Sequence, residues 1–168
     1  MTSVICRKKC QAKCCKSLAP VISSSEINRI SKHIGHSNFY DEYTYLNDQY
    51  FSIKKQENAG NYCYFLNHQN LCSIYPFRPL DCQLFPFFVD IEVLDTELWK
   101  LVWYYQECPL SYHILKNKDL PTIRKTFLTH LKSSVKDVWE YHIGIKITGA
   151  IEGKIRIFSE LIDLKEVV

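Results

Sequence analysis

Several features that are common in enzymes are missing from this sequence. Only 5 of its 168 residues are glycine, and no glycine-rich loop that would hold a cofactor is present. No Ser/His/Asp or Cys/His arrangement stands out as a catalytic group, and no paired carboxylates do. The sequence therefore gives no direct indication of an enzyme active site.

Export and membrane signals are also missing. The first residues, MTSVICRKKC, do not combine a charged region with a following apolar region, as a signal peptide does. The longest nearly apolar stretches, such as LFPFFV, are far too short to cross a bilayer. We therefore expect a cytoplasmic protein without a membrane partner. Thiols stay reduced in that compartment.

The chain has no internal repeat, no low-complexity block and no Gly/Ser linker. Its hydrophobic content of 46% and charged content of 23% are those of a globular protein rather than a disordered one. The net charge of +3 is too small to indicate a nucleic-acid partner. We predict one α+β domain over residues 1–168, with short antiparallel strands, flanking helices and irregular cysteine-rich loops around a metal site. Residues 6–110 would be its metal-binding core, and residues 111–168 a helical extension that could contain strands.

Local patterns predict the elements of the first half of the chain. Serines at 23–25 and isoleucines at helical spacing predict a helix over 24–34 that ends at Gly35. The segments SIKK and YCYFL, joined by turn residues 58–61, predict a hairpin. The three prolines in residues 67–86 predict an irregular segment.

The second half is patterned less clearly. FFVDIEVLD and ELWKLVWYYQ predict a second antiparallel pair, because both are rich in β-branched and aromatic residues. One amphipathic helix is predicted from Pro121 to about His142. Beyond it, IGIKI and KIRIF alternate like strands, whereas FSELIDLKEVV resembles a helix.

What the sequence does have is cysteine, in two bursts and one outlier. The first burst lies in VICRKKCQAKCCKS and the second in YCYFLNHQNLCSIYPFRPLDCQ. A disulfide scaffold is the alternative for eight cysteines, but a chain of this length forms a core without one. Clustered thiolates in a non-secreted chain indicate a metal ion or an iron–sulfur cluster. The candidate ligands are Cys6, Cys10, Cys14, Cys15, Cys63, Cys72, Cys82 and Cys108.

The spacing of the first burst limits how it can bind. Cys6, Cys10 and Cys14 share one face of a helix, but a regular helix separates the outer two by about 12 Å. Sulfurs on one tetrahedral zinc lie only about 3.8 Å apart. Either the segment is a loop that wraps around its metal, or it provides ligands to more than one metal. Adjacent side chains point in different directions, so one of Cys14 and Cys15 would bind a second metal, bridge two metals or pack in the core.

The order of the motifs resembles one known family. The burst ends in CC, and P-x-I-x-x-x-E-I-x-R-I follows from Pro20. C-x-F-L then begins at Cys63 and C-x-I-Y-x-x-R-P-x-x-C-x-x-F-P at Cys72. With the Cys-Pro step at Cys108, this order resembles the YkgJ-type cysteine-cluster family, also called CxxCxxCC, over roughly residues 6–110. The family's burst is usually C-x₂-C-x₂-CC, whereas this chain has C-x₃-C-x₃-CC.

The resemblance implies chelation of zinc or iron by the cysteines. Eight thiols exceed what one zinc needs, which favours an iron–sulfur cluster or two metals. The expected group is an iron–sulfur cluster, 4Fe–4S first, or iron, with zinc as the alternative. A branch of the family, the flagellin lysine N-methylases, implies the alternative function of a metal-dependent protein-modifying enzyme, with a protein partner or substrate. Arg78 lies between two candidate ligands. It would either donate hydrogen bonds to thiolate sulfurs or form a salt bridge with Asp81.

Overall fold

Antiparallel pairing arranges the strands into three sheets within the described part of this computed structural model, residues 2–57 and 60–167. The helices are α1 (Thr2–Lys8), α2 (Lys13–Ser17), α3 (Ser24–Ile34), α4 (Leu80–Leu84), α5 (Pro109–Lys116), α6 (Leu120–Ser133), α7 (Val135–Ile147) and α8 (Leu164–Val167). The strands are β1 (Val21–Ile22), β2 (Tyr40–Tyr45), β3 (Asp48–Ile53), β4 (Lys55–Gln56), β5 (Tyr62–Cys63), β6 (Phe87–Val93), β7 (Leu98–Tyr105) and β8 (Ile155–Asp163). Helices combined with antiparallel strands confirm the predicted α+β class.

The sheet with strand order β6-β7-β8 carries the main core. Val89 pairs with Trp103 and Ile91 with Leu101 across β6 and β7, and all four side chains are buried. Helices α6 and α7 cover this face, and the ring of Phe127 lies 5.6 Å from that of Trp103. Burial of each such side chain contributes about 1.5–3 kcal/mol, so this layer anchors the fold.

A second core lies between α3 and the sheet with strand order β1-β3-β2. Its buried side chains include Ile22, Ile27, Ile30, Phe39 and Ile53. Helix α7 contacts β1 and β3 of this sheet as well as β6 of the main one. The two cores are therefore joined through α7.

Helix α3 begins and ends where the sequence predicts. The Ser23 hydroxyl accepts a hydrogen bond from the backbone N–H of Glu26 (3.4 Å), and Glu26 Oε2 accepts one from the N–H of Ser23 (3.0 Å). This reciprocal pair is a capping box. At the other end, Gly35 adopts φ 81° and donates its N–H to the carbonyl of Ser31.

The predicted pairing of FFVDIEVLD with ELWKLVWYYQ is confirmed by β6 and β7. The hairpin is confirmed in a shorter form, since Lys55–Gln56 pairs with Tyr62–Cys63 while Ser52 and Ile53 belong to β3. Its predicted turn lies partly outside the described residues, which omit 58 and 59.

The predictions for the last third are partly wrong. The helix expected from Pro121 to His142 is two helices, because Ser134 is extended (φ −163°, ψ 102°) and caps α7 by accepting from the N–H of Asp137. IGIKI belongs to α7, where Ile145 is buried in the main core. Of FSELIDLKEVV, residues 158–163 lie in β8, whereas residues 164–167 form the expected helix, α8. The strand predicted at KIRIF is confirmed. Short apolar runs suit a buried helix and a strand equally, so tertiary pairing decides between them.

The C-terminal part is built into the main sheet. Strand β8 pairs with β7 from Leu98↔Asp163 to Tyr105↔Ile155, with one irregularity between Trp103 and Tyr104. The division of the chain near residue 110 stays a prediction. Within the described residues, no helix combines the length and the apolar character needed to cross a membrane.

Gly144 provides a test of the packing between α7 and β1. A Cβ atom at this position would lie 2.4 Å from Cγ1 of Val21. Gly144→Ala should therefore destabilise the protein by about 1–3 kcal/mol in urea unfolding, whereas alanine usually stabilises a helix relative to glycine. Adding Val21→Ala to the same chain should recover part of the loss. Wild-type stability of Gly144→Ala alone would contradict this packing.

His142 is a buried residue of α7 that the fold keeps neutral. Its exposed fraction is 2%, and its Nδ1 accepts a hydrogen bond from the N–H of Ile91 (3.3 Å). Burial lowers the pKa of His142 from 6.5 to about 4; the nearby Asp90 carboxylate opposes this shift and Lys146 adds to it. The unfolded chain therefore binds a proton at pH values where the folded chain does not.

The free energy of unfolding should consequently fall as the pH is lowered from 6.5 to 4. The contribution of His142 to this fall is about 3 kcal/mol. Above this window neither state binds the proton, and below it both do. His142→Gln removes the titration, so the difference between the urea midpoints of the two proteins isolates its contribution. Parallel pH profiles for the two proteins would show that His142 does not titrate in this way.

Candidate metal centre

The first cysteine burst forms two helices joined by a left-handed turn. Helix α1 ends at Lys8 and α2 begins at Lys13, while Gln11 (φ 49°) and Ala12 (φ 54°) turn the chain between them. The N–H of Ala12 donates to the carbonyl of Cys6 (2.8 Å), and the Ala12 side chain is buried. Because no continuous helix spans the burst, the separation of about 12 Å between Cys6 and Cys14 in a regular helix does not apply. Helices α1 and α2 can present their cysteines to a common space.

Cys14 and Cys15 lie on α2 with their sulfurs 4.0 Å apart. This is close to the ~3.8 Å between two sulfurs on one tetrahedral ion. The two sulfurs lie close together although adjacent side chains leave the backbone in different directions. That one of the two binds a second metal, bridges two metals or packs in the core stays a prediction. A hydrogen bond from the Cys15 thiol, assisted by the N–H groups of both residues, lowers the pKa of Cys14 to about 7. The pKa of Cys15, the donor, is raised.

The second cysteine segment is largely irregular, as predicted, and folds back on itself. Leu66 and Cys72 form an isolated β-bridge, and the N–H of Ser73 donates to the carbonyl of Phe65 (2.8 Å). A 3₁₀ turn and the short helix α4 follow. Burial raises the pKa of Cys63 to about 11 and that of Cys72 above its usual value. These thiols are protonated at neutral pH unless a metal takes the place of the proton.

Two carboxylates hold α4, the helix that carries Cys82. Glu26 Oε1 accepts a hydrogen bond from the N–H of Leu80 (2.7 Å), while its other oxygen caps α3. Asp81 Oδ2 accepts one from the N–H of Val21 in β1 (3.0 Å). Burial raises the pKa of Asp81 to about 6 and that of Glu26 above its usual value. The position of Cys82 thus depends on hydrogen bonds to distant backbone groups, which sequence reasoning did not find.

Cys108 caps α5, at a position where serine or threonine is usual. Its Sγ accepts a hydrogen bond from the N–H of Ser111 (3.4 Å), and its own N–H donates to Ser111 Oγ (2.9 Å). A helix N-terminus favours negative charge, which suits a thiolate. Ile5 of α1 and Leu110 of α5 share a hydrophobic cluster, against which Cys6 and Cys108 both pack.

All eight cysteines border two neighbouring cavities. The larger cavity, of about 360 Å³, is bordered by Cys6, Cys14, Cys15, Cys63, Cys72 and Cys82. The smaller cavity, of about 190 Å³, is bordered by Cys6, Cys10, Cys14 and Cys108. The fold thus brings together every cysteine that the sequence singles out. Two of these cysteines, Cys6 and Cys14, border both cavities.

The sulfurs do not form a complete coordination sphere as they stand. Within residues 2–57 and 60–167, no three His, Cys, Asp or Glu side chains are arranged so as to hold a metal ion. All eight cysteines are free thiols, and thiolates are the ligands that zinc and iron–sulfur clusters take. The donor chemistry therefore fits either group.

Arg78 borders the larger cavity. Its guanidinium carbon lies 4.3 Å from the centroid of the Tyr75 ring. In the part of the chain that the structure describes, no salt bridge joins Arg78 to Asp81, whose carboxylate accepts from Val21 instead. The charge of Arg78 partly offsets the rise in the pKa of Cys72. This placement favours the role beside a thiolate over the salt bridge.

Histidine does not contribute to either cavity among the described residues. His33 stacks on Phe77 with ring centroids 3.8 Å apart, and His142 lies in the core. Sulfur is therefore the main donor that the two cavities offer.

A comparison with protein families agrees with this arrangement. The model of the CxxCxxCC family, described as "Putative zinc- or iron-chelating domain", matches residues 5–109. The chain belongs to the CxxCxxCC family. The match spans all eight cysteines of this CxxCxxCC domain and supports metal binding by them. Searches of curated proteins and of solved structures found no match.

The Glu26 carboxylate gives a test of how α4 is held. Glu26→Ala leaves the buried N–H groups of Ser23 and Leu80 without their acceptor, at about 1–3 kcal/mol each. We expect urea unfolding of the metal-free protein to show a total loss of about 2–6 kcal/mol. Glu92→Ala, which removes an exposed ion pair with Lys100, is the control and should cost less than about 1 kcal/mol. Equal, small losses in both variants would show that Glu26 does not support α4.

Proposed function

We propose that this CxxCxxCC domain is a cytoplasmic metal-binding protein whose eight cysteines hold an iron–sulfur cluster, 4Fe–4S first, or iron, with zinc as the alternative. The observation that carries the proposal is the convergence of the eight cysteines from separate parts of the chain. Cysteines from α1, α2, β5, α4 and the start of α5, with two from the segments between elements, all border two neighbouring cavities. Cysteines that served only as small apolar core residues would have no reason to collect in this way.

The surroundings of the cysteines suit thiolate ligands. Backbone N–H groups and the Cys15 thiol stabilise negative charge on Cys14, and the start of α5 does so at Cys108. Arg78 supplies positive charge beside Cys72. Burial, in contrast, keeps Cys63 protonated until a cation replaces the proton. The bound group would supply that cation, so metal uptake should release protons.

A second candidate function is a metal-dependent protein-modifying enzyme related to flagellin lysine N-methylases. One observation favours it. The larger cavity, of about 360 Å³, has room for about twelve waters, far more than a single ion occupies. Its walls are mostly apolar, as ligand sites are, which would leave space for a side chain of a protein substrate beside the metal.

Anaerobic purification followed by elemental analysis and absorption spectroscopy tests the identity of the group. A brown protein that contains iron and acid-labile sulfide would support the cluster. A colourless protein with stoichiometric zinc and no iron would support zinc and contradict the cluster. A protein that contains neither metal, and takes up neither when supplied, would overturn the proposed function.

Replacing single ligands tests the site itself. Cys72→Ser and Cys82→Ser should each lower the metal content and reduce stability, because serine is a poor ligand for zinc and iron and metal binding stabilises the folded state. Ser73→Ala, an exposed neighbour of Cys72, is the matched control and should keep the wild-type metal content. Full retention of metal by both cysteine variants would count against these ligands.

A further inference from the structure

The two cavities divide the cysteines into two groups. Two cysteines, Cys10 and Cys108, border the smaller cavity alone. Four others border the larger cavity alone: Cys15, Cys63, Cys72 and Cys82. Cys6 and Cys14 border both. The larger cavity therefore already has four cysteines of its own, which is the number that a tetrahedral zinc or a 4Fe–4S cluster takes.

Local contacts assign Cys6 to the smaller cavity, and counting assigns Cys14. The Cys10 thiol donates to the carbonyl of Cys6 (3.2 Å), and Cys6 packs with Cys108 against the cluster formed by α1 and α5. These three cysteines need one more ligand. Cys14 borders the same cavity and is the remaining cysteine without an assignment, so it completes a second set of four.

We infer that the domain holds two metal centres side by side. One is formed by Cys6, Cys10, Cys14 and Cys108, and the other by Cys15, Cys63, Cys72 and Cys82. The inference rests on the proposed function and adds the number of centres and the ligands of each. The contact between Cys14 and Cys15, with sulfurs 4.0 Å apart, makes the two centres neighbours.

Packing supports this division independently of the cavities. Cys6 and Cys108 pack against the hydrophobic cluster that contains Ile5 and Leu110. Cys15, Cys63 and Cys72 belong to, or pack against, the separate cluster beneath α3. The cysteines that pack in these clusters thus belong to different parts of the core, two from one group and three from the other.

Each centre also has its own positive charge. Four thiolates around a dication leave a net charge of about −2, which a nearby cation would offset. Lys13 borders the smaller cavity and Arg78 borders the larger one. A four-cysteine site has no open position, so two such sites indicate that the metals are held structurally or carried.

Zinc titration of the reduced, metal-free full chain tests the inference, with bound Zn²⁺ counted by native mass spectrometry. The wild type should bind two Zn²⁺. The double variant Cys10→Ser/Cys108→Ser should bind one, and so should Cys63→Ser/Cys72→Ser, a twofold loss in each case. Ser73→Ala should keep two. Circular dichroism of each protein checks that the comparison is made between folded chains.

The outcomes separate this inference from the proposed function. A wild type that binds one Zn²⁺, which each double variant loses, would show a single composite site; the proposed function would stand and the two-centre inference would fall. A wild type that binds no zinc, and contains no iron when purified anaerobically, would overturn both. If Cys63→Ser/Cys72→Ser does not fold, Cys10→Ser/Cys108→Ser still decides, because one Zn²⁺ against two in the wild type supports two centres and any other ratio contradicts them.

Discussion

The arrangement of the cysteines depends on two buried carboxylates that accept hydrogen bonds from distant backbone groups. Glu26 joins the start of α3 to the start of α4, and Asp81 joins α4 to β1. A helix as short as α4 is not stable alone in water. These contacts hold Cys82 at the larger cavity although most of the surrounding chain is irregular. An irregular ligand segment is thus supported by a few polar contacts rather than by regular structure.

The electrostatics of the cysteines follow from the same arrangement. Sulfurs that accept hydrogen bonds from backbone N–H groups, such as those of Cys14 and Cys108, lie where negative charge is stabilised. Thiols surrounded by apolar side chains, such as Cys63 and Cys82, resist ionisation. The two environments occur around one pair of cavities. Proton release on metal binding would therefore come mainly from the buried thiols, because the pKa of Cys14 is already lowered to about 7.

Features with a local cause could be predicted from the sequence, whereas features that depend on distant partners could not. Ser23 and Gly35 mark the ends of α3 by their own side-chain and backbone chemistry, and the set of cysteines was evident from composition alone. The left-handed turn at Ala12 carries no glycine or asparagine to announce it. The break at Ser134 divides a continuous apolar pattern, and the second hydrogen bond of Glu26 reaches a residue 54 positions away. Such partners are set by tertiary packing.

The connection between β7 and Cys108 makes the metal region and the main sheet one mechanical unit. Strand β7 is the central strand of that sheet, and only Gln106 and Glu107 separate its end from Cys108. Strand β8, which lies beyond the region matched by the family, is hydrogen-bonded to β7 along its length. Separation of β8 from β7 would therefore disturb the chain within three residues of Cys108. Unfolding of the sheet and unfolding of the metal region should consequently be cooperative.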